Sequence, residues 1–174
     1  MHKPLSCAAI LLCAGAVFAQ IPESVDPAAI PNYRIVRPGL ATAGQPSTEA
    51  LKKLKEQGFT TVINLRTETE PGVKEEEAIV KGQGLNYVWV PVTAATFSQQ
   101  QVDQVAKVLD DPKAGAVLFH CGSASRVGAV WTVIQAQRGK SYEEAESEGR
   151  KIGLSSPALV EAVKKVLASN AESR

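Results

Sequence analysis

The chain has 174 residues, enough for one domain with a sizeable core after a short leader. Apolar residues make up 44% and aromatics 5%, so the core is aliphatic and alanine-rich. The net charge is +1 and no basic run stands out, which argues against binding to nucleic acid or to an anionic membrane surface.

Residues 1–19 read as a secretory signal. Lys3 is the positive start, Leu5 to Val17 is the apolar stretch, and Val17-Phe18-Ala19 offers a cleavage site before Gln20. The stretch is short for a membrane span. Export to a periplasm or to the exterior is therefore expected, with no membrane contact once the leader is gone. Cys7 and Cys13 would leave with it. Cys121 and His120 then remain as the single cysteine and the single histidine, side by side.

Residues 20–32 carry three prolines and no period, and read as an extended arm. The domain proper is expected over 33–170. Arg34–Arg37 and Leu40–Ala43 are short extended segments. Ser47 caps a helix carried on by Leu51, Leu54 and Lys55 and stopped by Gly58. Phe59 to Leu65 is β-branched and apolar, a buried strand. Val73 to Lys81 is a charged helix, and Leu85 to Val92 is the next strand. Ser98 and Gln101 form a capping box for a helix with Val102, Val105, Ala106 and Leu109 on one face. Ala116 to Phe119 is a strand, followed by the Cys121 loop and a helix over Val127–Gln137. Two further helices are expected at Tyr142–Lys151 and Pro157–Ala168. Alternating strands and helices predict an α/β fold, a three-layer sandwich around a mainly parallel sheet.

The chemistry concentrates at His120-Cys121-Gly122-Ser123-Ala124-Ser125-Arg126. In an open parallel sheet, ligands bind beyond the carboxyl ends of the strands, where Cys121 falls. Gly122, Ser123, Ala124 and Ser125 allow a tight turn whose N–H groups converge, and the next helix adds its positive end. Such a nest holds anions and favours a thiolate. Arg126 can grip an oxyanion through two parallel hydrogen bonds.

Strand, His-Cys, small loop, Arg and helix together resemble the cysteine-dependent phosphatases of dual-specificity type. Thr61-Val62-Ile63-Asn64-Leu65-Arg66 and Tyr87-Val88-Trp89-Val90-Pro91-Val92 add to the likeness, which runs from about Tyr33 to Leu167. It is similar above all to small bacterial phosphatase-like domains, including those fused to β-lactamase-like hydrolases. The resemblance implies a protein-tyrosine-phosphatase-like fold, with Cys121 as nucleophile and Arg126 as anion clamp. Three departures stand out. The loop holds four residues between Cys and Arg where these phosphatases normally have five; four is also the rhodanese length. The segment Thr93–Phe97 has no Asp to protonate a leaving group. Val127 follows Arg126 where Ser or Thr is usual.

Three readings stay open. The first is hydrolysis of phosphate monoesters through a cysteinyl-phosphate on Cys121. The second is a rhodanese-like sulfurtransferase carrying a persulfide there. The third is a non-catalytic module that binds oxyanions or phospho-ligands. The partner is a phosphorylated or sulfur-bearing small molecule or protein.

The remaining polar residues get plainer readings. His120 should point to the opposite face from Cys121 and support the loop from behind. Arg66, ending a neighbouring strand, is a second supporting residue. No second His or Cys completes a metal shell, so neither metal nor cofactor is expected. Glu68 and Glu70 read as solvated loop charges, one of which could replace the missing acid. Trp89 and Trp131 read as core or groove-wall aromatics, and Glu75-Glu76-Glu77 as a solvated helix face.

Overall fold

The computed structural model describes residues 21–172; the expected leader, 1–19, with Cys7 and Cys13, lies outside them. Strands β1 (Arg34–Arg37), β2 (Leu40–Ala43), β3 (Thr61–Asn64), β4 (Asn86–Trp89) and β5 (Val117–His120) form one sheet in the order β1-β2-β5-β3-β4. Only β1 is antiparallel to its neighbour; β2, β5, β3 and β4 run parallel. The helices are α1 (Thr48–Leu51), α2 (Val73–Gly82), α3 (Gln99–Asp110), α4 (Ser125–Gln137), α5 (Tyr142–Ile152) and α6 (Pro157–Glu172). The expected three-layer α/β sandwich is the architecture found.

Side chains alternate across the sheet and sort into two cores. Val62 and Leu118 face α1 and α2, packing with Leu51, Leu54, Phe59 and Val80. Ile63 and Phe119 face the other way and pack with Val105, Val130, Val133 and Val163 of α3, α4 and α6. Cys121 falls in this second core, one step beyond Phe119 and His120.

Helices α4 and α5 approach closely because two glycines meet. A Cβ on Gly128 would lie 2.4 Å from the Gly149 carbonyl oxygen, and one on Gly149 would lie 2.1 Å from Thr132 Oγ1. Ser141 and Glu144 cap α5 reciprocally, as Ser98 and Gln101 cap α3.

Two segments differ from expectation. The helix capped by Ser47 is regular only to Leu51; Lys53 and Leu54 then bond carbonyls three residues back, and turns run on to Gly58. These tight turns keep Leu51 and Leu54 buried beside Phe59. The arm is not extended. Ile21 and Ile30 bury in the α1–α2 core, the Pro31 carbonyl accepts from Gly44 N–H at 2.7 Å, and that of Ala29 accepts from Ser47 N–H at 2.7 Å. The apolar side chains, spaced too irregularly to show a period, are what dock it.

Candidate active site

Strands β3 and β5 pair with Asn64 opposite His120, so their carboxyl ends bring Leu65-Arg66 beside Cys121. The Leu65 N–H donates to the His120 carbonyl at 3.0 Å, which fixes this junction. The Cys121 loop then turns through Gly122–Ala124 into α4. Ala124 takes a left-handed φ of 69°, an uncommon cost for a residue with a Cβ. Its methyl group is fully buried, which helps hold it there.

The loop is pinned from outside by residues the sequence reading did not single out. The Gly122 carbonyl accepts from Gln45 N–H at 3.1 Å, and the Ser123 carbonyl accepts from Asn32 Nδ2 at 3.3 Å. Because a peptide unit is planar and trans, the Ser123 N–H faces opposite to the Gly122 carbonyl. Gly44 allows this approach: a Cβ there would stand 3.1 Å from the Gly122 oxygen. Ser125 turns its hydroxyl away from the loop, accepting from the N–H groups of Ser155 and Ser156.

Arg126 is held at its tip. Nη1 and Nη2 donate to Glu70 Oε1 and Oε2 at 2.6 and 2.8 Å, and Nη1 also lies 3.3 Å from the carbonyls of Leu65 and Val92. None of these bonds uses Nε. The Nε/Nη2 side of the fork is therefore left for a second bidentate partner. The Glu70 bonds raise the Arg126 guanidinium above its ordinary value against the opposing effect of burial, and nearby Cys121 adds to the rise.

Glu70 is thus no free loop charge. Arg126 pulls its carboxyl down to about 2, against burial, and the Thr67 N–H and Arg66 assist. Such a group is ionised and fully engaged, which removes it as the replacement acid. Arg66 is buried: Nε donates to Glu70 at 3.2 Å and Nη2 to the Pro71 carbonyl at 2.7 Å.

His120 lies behind the loop, fully buried, with Nε2 2.8 Å from Glu76 Oε1. This corrects the reading of Glu75-Glu76-Glu77 as a solvated face. Glu76 is 1% exposed and shares the buried side of α2 with Val73 and Val80. Its carboxylate also accepts from Asn64 Nδ2 at 2.9 Å and Gln45 Nε2 at 2.7 Å, with Arg66 Nη1 at 3.8 Å. Burial pushes this carboxyl up, but His120, Gln45 and Arg66 outweigh it and hold it below the usual range. The signal was present in the helical period, since positions 73, 76 and 80 fall on one face.

The two tryptophans part company. Trp131 is buried on α4, while Trp89 is 41% exposed and donates from Nε1 to the Arg66 carbonyl at 2.7 Å. In the segment Thr93–Phe97, Thr93 and Thr96 bond to each other.

Residues 26–164 match a family model described as DSP-PTPase phosphatase fused to NAD+ kinase. A β-lactamase hydrolase-like protein of Xylella fastidiosa (strain Temecula1) is 29% identical over 119 residues, covering 66% of this chain. The chain spans only 27% of that relative's length. Among solved structures, a DUF442 phosphatase of Shewanella putrefaciens CN-32 superposes with a TM-score of 0.65 at 21% identity, over 82% of this chain and 92% of the other. TpbA of P. aeruginosa, in a complex with pTyr, gives a TM-score of 0.62 at 18% identity, over 87% and 89%. Both likenesses concern the fold. With the family match covering most of its length, this chain belongs to the DSP-PTPase phosphatases, a cysteine-dependent family.

Proposed function

We propose that the chain is an exported phosphatase that hydrolyses phosphate monoesters through a cysteinyl-phosphate on Cys121. The observation that carries this reading is the state of Arg126. Its tip is locked by Glu70 and two carbonyls, and its Nε/Nη2 side stays available beside the loop. A clamp fixed in this way meets an oxyanion with little reorganisation.

The steps follow from this geometry. Cys121 Sγ attacks phosphorus, the S–P bond forms and the ester P–O bond breaks. The Nε/Nη2 side of Arg126 and the loop N–H groups take up the charge on the equatorial oxygens. With Glu70 committed to Arg126, Glu68 exposed on its loop and no Asp in Thr93–Phe97, the leaving oxygen takes its proton from water. A second water then breaks the S–P bond, releasing phosphate and restoring the thiolate. Glu76, His120, Gln45 and Asn64 keep the strand end and loop in register throughout. The substrate is a phosphorylated small molecule or protein. The leader supports export and is tested by N-terminal sequencing of the mature protein.

The deciding experiment is mass spectrometry of Cys121 after a rapid quench, once with p-nitrophenyl phosphate and once with thiosulfate. A gain of one phosphoryl group with the ester is expected. A gain of one sulfur from thiosulfate, with no phosphoryl adduct and no ester turnover, would overturn the proposal in favour of sulfur transfer. No covalent adduct from either would leave only ligand binding.

A further inference from the structure

We infer that a groove at the far end of α4 from Cys121 is a second binding site, for a small organic molecule carrying a phosphate or diphosphate group. The two sites share one helix. Arg126 starts α4 at the loop, and Gln135 lies nine residues on, about 14 Å along the axis. The groove lies between the edge strand β1, the last turns of α4 and α5, with a volume of about 450 Å³. That is within the usual range for small-molecule sites and more room than an inorganic anion needs.

Charge selects the ligand class. Five cations line the groove, Arg34, Arg37, Arg138, Lys140 and Lys151, against one carboxylate, Glu148. Glu148 is already engaged by Lys140 and by Trp131 Nε1. Arg138 is paired with Asp110. Arg37 donates to the Leu109 carbonyl, which satisfies a donor but neutralises nothing. Arg34 and Lys151 make no ion pair or side-chain hydrogen bond among the described residues, although Lys151 lies close enough to help keep Glu148 ionised. Two positive charges, Arg34 and Arg37, are thus left without a counter-charge among the described residues, and Lys151 shares Glu148 with Lys140. A phosphate ester or diphosphate carries two or three negative charges to meet them.

Gln135 is the second observation. It lines the groove and is 5% exposed, yet among the described residues its side-chain amide has no hydrogen-bond partner. Its amide is not sealed from solvent, so water in the groove serves it until a ligand group takes that place. Ile35, 38% exposed, supplies apolar surface beside the cations for the organic part of the ligand. An inorganic anion would leave that surface unused.

The test is calorimetric titration of the full chain carrying Cys121→Ser with ADP, pyrophosphate and inorganic phosphate. Trp131 fluorescence, read in a Trp89→Phe background, reports the groove locally. ADP should bind more tightly than pyrophosphate, and both more tightly than inorganic phosphate. Arg34→Ala with Lys151→Ala should weaken ADP by about tenfold or more, as two lost charge-assisted contacts imply. The same pair in the otherwise native chain should leave turnover of p-nitrophenyl phosphate unchanged. Both residues are exposed, so the variant should fold; Gln135→Leu gives an independent loss of ADP affinity. Unaltered ADP affinity in the double variant would assign the binding to the Cys121 loop and overturn the proposal. Pyrophosphate binding as well as ADP would remove the organic part. Binding of an acidic peptide but no phosphate compound would make the groove a protein-docking surface and also overturn it.

Discussion

Glu70 and Arg126 meet at two points, with Oε1 2.6 Å from Nη1 and Oε2 2.8 Å from Nη2. They are 56 positions apart in sequence, and their contact decides what each can do. The carboxylate is spent as an orienting group, and the guanidinium presents its side rather than its tip to the loop.

This pair sets a pH dependence. The Glu70 carboxyl falls from 4.5 to about 2 in the folded protein. A depressed carboxyl stabilises the fold fully above its unfolded value, and that stabilisation is lost as pH falls through the folded value. Native stability should therefore decline between about pH 4.5 and 2 by more than in Glu70→Gln. Urea unfolding of both proteins across this range checks it. A constant gap between them would mean that Glu70 is not held ionised by Arg126. At neutral pH, Glu70→Gln should lower kcat/KM while leaving Cys121 able to react.

The buried Glu76–His120 pair carries a larger consequence. Glu76→Ala strands His120, Asn64 and Gln45 inside the protein, and each buried polar group left unsatisfied costs about 1–3 kcal/mol. Glu76→Gln keeps a hydrogen-bonding group of the same shape and should lose clearly less. Both should slow alkylation of Cys121 by iodoacetamide under conditions where the protein is still folded. Denaturant melts and alkylation rates measure the two effects separately. An Ala variant as stable as the native chain would deny Glu76 its role as hub.

Turnover should depend steeply on the leaving group. General acid catalysis is worth roughly 100- to 10,000-fold, and neither Thr93–Phe97 nor Glu70 supplies a proton. Alkyl phosphates should therefore react far more slowly than aryl phosphates. Rates over a series of substituted phenyl phosphates, plotted against the pKa of the phenol, should fall steeply. A flat plot would reveal an acid elsewhere in the site. Cys121→Ser should abolish turnover throughout.

Close packing of α4 on α5 predicts a stability effect outside the chemistry. Gly128→Ala places a methyl group 2.4 Å from the Gly149 carbonyl oxygen and 2.7 Å from Leu154 N. Both obstacles are backbone, so the helices must separate, at about 1–3 kcal/mol. Because α4 also carries Arg126, loss of phosphatase activity should accompany the lower melting temperature. Thermal melts with parallel assays test this; an unchanged melt would show that the helices part freely.

The amino-acid sequence by itself determined the features set by local rules. Alternation along Val117–His120 put His120 and Cys121 on opposite faces, and the structure keeps them so. The small residues Gly122–Ser125 and the spacing to Arg126 located the loop. Ser98, Gln101 and Ser141 started helices because capping is a contact over three residues. Tertiary structure decided which charges are solvated. Glu75, Glu76 and Glu77 look alike in sequence, yet only the middle one turns with Val73 and Val80 into the sheet, where a histidine 44 positions away receives it. Glu70 became an orienting group because its loop folds over α4, and the arm became part of the site because Asn32 reaches the Ser123 carbonyl. An electrostatic partner is chosen by distance in space, and the parallel sheet, by placing β3 beside β5, sets those distances.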